Sequence, residues 1–190
     1  DPIQGEFFSS ETISDPGRAL VREGIQNSLD AAIRNEPVLV RIFVSGKENA
    51  KKSKDVSEYL TDGWEHFRAP DNGLREVPED NDLCEFLVFE DFFTKGLSGD
   101  ISEVTRGKNH KNAFAHFFRG DGISDKGEGD RGSWGVGKTV FQRSSRINTM
   151  FGFTVRHDDK KALLMGMAVL KGHHSAIRIT NLTGGIDYSI

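Results

Sequence analysis

The stretch PGRALVREGIQNSLDAAI, residues 16–33, decides how the chain is read. Asp15 and Pro16 mark a helix start: an aspartate side chain can accept from the unpaired N–H groups of the first turn, and proline suits the first helical position. Leu20, Val21, Ile25, Leu29, Ala32 and Ile33 recur at helical spacing, and the pattern stops before Pro37. Glu23 and Asn27 stand four apart and Asp30 three further on, so the three share one face. Val21, Ile25, Leu29 and Ile33 favour a different stripe, which makes one flank apolar and the other polar. An amide oxygen on the polar flank suits Mg²⁺, a hard ion that keeps part of its water shell. A carboxylate one turn away can take a proton from an attacking water. The same spacing, taken alone, also describes a solvated face.

Outward from this helix, VLVRIFV (Val38–Val44) reads as a strand, being β-branched and aromatic. Residues 46–81 are polar, with a short helix expected near 51–60 and loop after it. EFLVFED (Glu85–Asp91) is a second, short buried strand that ends on two carboxylates. A carboxylate there can accept from an exocyclic amine such as that of adenine, and Gly96 and Gly99 let the chain turn closely past a ligand. Asp71-Asn72-Gly73 also places glycine after aspartate, but it follows HFRAP rather than a strand and is an ordinary turn signal. Residues 96–131 are rich in Gly, Lys and Asp around an aromatic patch, Ala113–Arg119, and a segment of that length is expected to be functional or mobile. Beyond it come a glycine-rich turn, Gly132–Gly137, a helix over Lys138–Ser145, and three strands, INTMFGFTVR, ALLMGMAVL and SAIRITN, the first two joined at residues 157–161. This order predicts an α/β sandwich: a mixed, mostly antiparallel sheet covered by helices on one face.

In GSWGVGKT, Gly132, Gly135 and Gly137 precede a helix, so backbone N–H groups there can cradle phosphate, with Lys138 adding charge. Gly132, Gly137, Lys138 and Thr139 also match the Walker A pattern. A P-loop needs a buried strand directly before it, and ISDKGEGDR cannot be one; LVFED, which could serve as a Walker B strand, precedes the loop in reversed order. That reading also leaves the first helix unexplained.

Together the three strings resemble the GHKL superfamily of gyrase-type topoisomerases, large heat-shock chaperones, histidine kinases and MutL-type proteins. EGIQNSLDA resembles its first motif, which implies Glu23 as general base, Asn27 as Mg²⁺ ligand, and Asp30 and Ala31 lining the nucleotide pocket. EDFFTKGLSG resembles the second motif, D-x-G-x-G, which implies Asp91 as the adenine reader with Thr94 and Gly96 beside it. The stretch departs from that pattern twice: Phe93 stands where the family prefers glycine, and one extra residue separates Asp91 from Gly96. GSWGVG resembles the third motif, which implies nucleotide contacts from Gly132, Gly135, Val136, Gly137, Lys138 and Thr139, with an ATP lid over roughly 97–131. Asp30-Ala31 resembles the MutL, topoisomerase and chaperone branches. The resemblance implies a two-layer Bergerat-type sandwich, ATP and Mg²⁺ as ligands, hydrolysis by water, lid closure and ATP-dependent homodimerisation. It also implies coupling to a downstream effector region or partner protein, in settings such as DNA repair or anti-phage defence. The family's later conserved Thr or Lys has only Thr180 and Thr183 as candidates here. A nucleotide sensor without productive hydrolysis is the alternative.

The 190 residues fit one domain, residues 1–190, and both ends read as cut from a longer protein. A net charge of −4 offers no broad electrostatic case for nucleic acid or membrane, so nucleic acid is expected only through other regions. One cysteine, Cys84, excludes an internal disulfide framework and suits a reducing, cytoplasmic setting, with a buried inert thiol as the expected role. No stretch has the length and apolarity of a membrane span. The six histidines are scattered, with no transition-metal pattern, and Trp64 and Trp134 read as packing residues.

Overall fold

A computed structural model describes residues 15–77, 79, 81–102, 112–119 and 136–173. Helix α1, Pro16–Asp30, starts where the sequence places it. Asp15 caps it by accepting from the Arg18 N–H at 2.9 Å. Its packing face is not the apolar flank. Leu20, Gly24 and Ser28 are buried, one turn apart, whereas Val21 and Ile25 remain 38 % exposed and Leu29 54 %. The buried seam runs between the polar and the apolar flank. Gly24 and Ser28 have little side chain to hold a neighbour away, and the Ser28 hydroxyl turns back onto the Gly24 carbonyl at 2.9 Å.

Strand β1, Leu39–Val44, pairs antiparallel with β4, Leu87–Phe92, in a register from Leu39 opposite Phe92 to Val44 opposite Leu87. Between them, β2 (Lys51–Lys52) pairs with β3 (Leu83–Cys84), enclosing helix α2 (Ser53–Leu60), one 3₁₀ turn (Thr61–Gly63) and helix α3 (Trp64–Arg68). Helix α2 is the helix expected near 51–60, while α3 falls within the stretch read as loop. Asn72 explains the stop of α3: its buried amide donates to the carbonyls of His66 and Phe67 at 2.9 and 2.7 Å, closing the C-terminus. Asp71-Asn72-Gly73 is therefore a structural turn, as its sequence suggested.

Helix α4, Ala113–Arg119, forms from the aromatic patch and buries Phe114 and Phe118. Helix α5, Val136–Arg143, begins two residues earlier than expected. Strands β5, Thr149–Val155, and β6, Ala162–Ala168, form a hairpin around the 157–161 turn. The buried Arg156 anchors that turn. It bonds Asp158 and Asp159 and donates to the Gly99 carbonyl at 2.9 Å. The third expected strand, SAIRITN, lies outside the described residues.

The fold is thus mixed α/β with antiparallel pairing. Instead of the single mixed sheet expected, the described strands form three two-stranded antiparallel ladders. No described helix is long and apolar enough to cross a membrane.

Candidate functional site

Two of the three sequence constellations meet through backbone hydrogen bonds. After α1 and after β4 the chain forms a short antiparallel contact: Lys95 donates to the Ala31 carbonyl at 2.9 Å, Ile33 donates to the Phe93 carbonyl at 3.1 Å, and Ala32 and Thr94 form a bridge. Asp30 and Ala31 therefore sit beside the loop that follows Asp91. Within α1, Gly24 lies against β4 so closely that a Cβ there would come 2.7 Å from the Phe89 ring. Phe89 in turn meets Phe141 of α5 edge-on at 5.8 Å between centroids, and α1 packs along α5. The helix that follows the glycine-rich sequence thus packs against both α1 and β4.

Glu23, Asn27 and Asp30 flank the buried seam. The Glu23 side chain is 18 % exposed, and its carboxylate accepts from Arg22 Nε at 3.0 Å and Nη2 at 2.6 Å. Asp30 accepts from Gln26 Nε2 at 2.9 Å. Asn27 is exposed, and its side chain has no hydrogen bond to a described residue. Its amide oxygen is a hard neutral donor of the kind Mg²⁺ accepts alongside water. Among the described residues no three His, Cys, Asp or Glu side chains are grouped to hold a metal by themselves. Two histidines do meet, His66 Nδ1 and His173 Nε2, at 2.9 Å.

On the β4 side, Asp91 is exposed and accepts from the Thr94 hydroxyl at 3.1 Å. Gly96 has φ +67°, and a Cβ there would stand 2.6 Å from the Val155 carbonyl oxygen and 2.8 Å from Thr154 Oγ1. Only glycine fits. Thr154 was passed over in the sequence. It is buried on β5, and its hydroxyl accepts from the Leu97 N–H at 2.9 Å, so it holds the loop after Asp91 from below. His157 adds a bond to the Lys95 carbonyl at 3.0 Å. Thr154 is one more threonine in an alternating strand, and no local signal marks it out. Thr180 and Thr183 lie outside the described residues.

Of the third constellation, Gly132 and Gly135 lie outside the described residues. Val136, Gly137, Lys138 and Thr139 form the first turn of α5, with Thr139 half-buried. Most of the expected lid also lies outside. Cys84 is half-buried and unpaired, and burial raises its thiol above the ordinary range, as suits an inert role. Trp64 packs edge-on against Phe67, with Arg68 over its ring. A groove of about 710 Å³ between residues 68–77 and 171–172 draws on none of the three constellations.

Comparison with protein-family models, curated proteins and solved structures returns no match.

Proposed function

We propose that the chain is a Mg-ATP-binding domain of the GHKL type, a Bergerat-type sandwich that hydrolyses ATP with Glu23 as the base. The observation that carries this reading is that α1 meets both the loop after Asp91, through backbone hydrogen bonds, and α5, which also touches β4 through Phe89 and Phe141. Asp91 would read the adenine amine, with Thr94 holding its carboxylate and Gly96 and Thr154 shaping the loop. Asn27 would hold Mg²⁺, which neutralises phosphate charge when bound. Glu23 would accept the proton of the attacking water, and the N–H groups at the start of α5 would face phosphate. Lid closure and dimerisation on ATP, acting on an effector, complete the proposal.

Calorimetric titration with Mg-ATP tests it. The wild type binds and Asn27→Ala loses most of that binding. Absence of heat with the wild type refutes ATP binding. Loss with Lys138→Ala but not with Asn27→Ala transfers the site to a P-loop.

One observation favours the sensor alternative: Arg22 donates two hydrogen bonds to Glu23 Oε1, and these must give way before that oxygen can meet an attacking water. Arg22 is itself 73 % exposed, so the pair is open to exchange with solvent. Single-turnover assays separate the two readings. An Arg22→Ala variant that turns over where the wild type only binds assigns the sensor role.

A further inference from the structure

Phe93 departs from ordinary backbone chemistry. It has φ +63°, in the left-handed region that glycine and asparagine tolerate and a bulky side chain does not. The conformation is imposed from both sides. The Phe93 carbonyl accepts from Ile33, the next residue pairs with Ala32, and Asp91 and Thr94 are tied across it. A glycine would sit there without strain. The residue is instead an aromatic, 51 % exposed and without a ring contact among the described residues. Strain of this kind, held by its surroundings at the loop after Asp91, points to a role for the side chain. Burial does not supply that role, since the ring gains little from packing.

We propose that Phe93 is a base-stacking residue, presenting its ring to the flat face of the nucleobase whose edge Asp91 reads. The inference rests on the ATP-binding reading above. The two side chains divide the work. A carboxylate discriminates by hydrogen bonding, while an aromatic face attracts any base through stacking and is indifferent to its edge. Phe93 therefore adds affinity without specificity, and its loss weakens ATP and GTP alike.

The test is a comparison of wild type, Phe93→Gly, Phe93→Leu and Phe93→Tyr, titrated with Mg-ATP, Mg-GTP and Mg-tripolyphosphate, which has no base. Phe93→Gly weakens both nucleotides roughly tenfold, leaves tripolyphosphate binding unchanged, and raises the melting midpoint by about 2–4 °C as the strain is released. Phe93→Leu loses the same affinity without the gain in melting temperature, and Phe93→Tyr retains wild-type affinity. If Phe93→Gly binds ATP as tightly as the wild type, or weakens tripolyphosphate as much as ATP, stacking is overturned while ATP binding stands. If the wild type binds no nucleotide at all, the ATP-binding reading itself fails.

Discussion

Gly24 offers the sharpest test of how α1 is seated. In an exposed helix interior, Gly→Ala stabilises by about 1 kcal/mol, because alanine has less backbone freedom to lose. Here the added Cβ meets the Phe89 ring at 2.7 Å, about 1 Å inside normal carbon–carbon separation. The ring has little room to retreat, since Phe141 stands edge-on at 5.8 Å. Overpacking of this sort costs about 1–3 kcal/mol. Subtracting the helix gain leaves a net loss of about 1 kcal/mol. With an m-value near 2 kcal/mol/M, the urea midpoint falls by about 0.5 M. The decisive measurement is the same substitution in a Phe89→Ala background, where the obstacle is gone and Gly24→Ala stabilises by about 1 kcal/mol. A double-mutant cycle by urea denaturation reads this reversal of sign. If Gly24→Ala stabilises in both backgrounds, α1 is not pressed onto β4, and the convergence behind the functional proposal is lost with it.

Three further outcomes follow from the same geometry. Glu23→Ala keeps Mg-ATP binding and lowers turnover by about 10²–10⁴; equal loss of binding and turnover in calorimetry and phosphate-release assays removes Glu23 from the role of base. Asp91→Asn weakens ATP relative to other nucleotides, and unchanged ATP and GTP affinities refute the adenine assignment. Arg156 donates to Asp158 and holds its carboxyl below the usual carboxylate range. Since the folded-state value is depressed, this pair stabilises fully above the ordinary aspartate value of about 4, and the contribution is lost as pH falls through the lower folded value. Asp158→Asn is therefore less stable than the wild type at pH 7, and the gap narrows on acidification; a gap that widens towards pH 3 in urea titrations contradicts the assignment.

Features encoded within a few residues were legible in the sequence. The Asp15 cap, the stop before Pro37, the strand around Val38–Val44 and the 157–161 hairpin turn depend only on neighbours in the chain. Helix α3 was missed because Asn72 caps it from beyond its end, across a proline-containing turn. Thr154 was missed for a stronger reason. Its partner Leu97 stands far back in the chain, and nothing in TMFGFTV distinguishes a hydroxyl that supports a loop from one that faces solvent.

The seating of α1 is the more instructive case. An apolar stripe signals burial when a helix packs against side chains, and on that rule alone Val21, Ile25 and Leu29 would face the core. This helix packs against an aromatic ring at close range, and close approach selects residues with little side chain. Leu20-Gly24-Ser28 is therefore the seam, even though two of its three members count little on a hydrophobicity scale. The same seam accounts for the placement of the polar residues. At about 100° per residue, Asn27 and Glu23 fall about 60° and 100° to one side of Gly24, at the rim of the α1–β4 contact rather than beneath it. A rim position holds a side chain by its backbone while leaving its head free to reach a ligand, which a wholly buried or wholly solvated position does not. The functional reading of Glu23 and Asn27 thus depends on Gly24 more than on the apolar flank, and Gly24→Ala tests both at once.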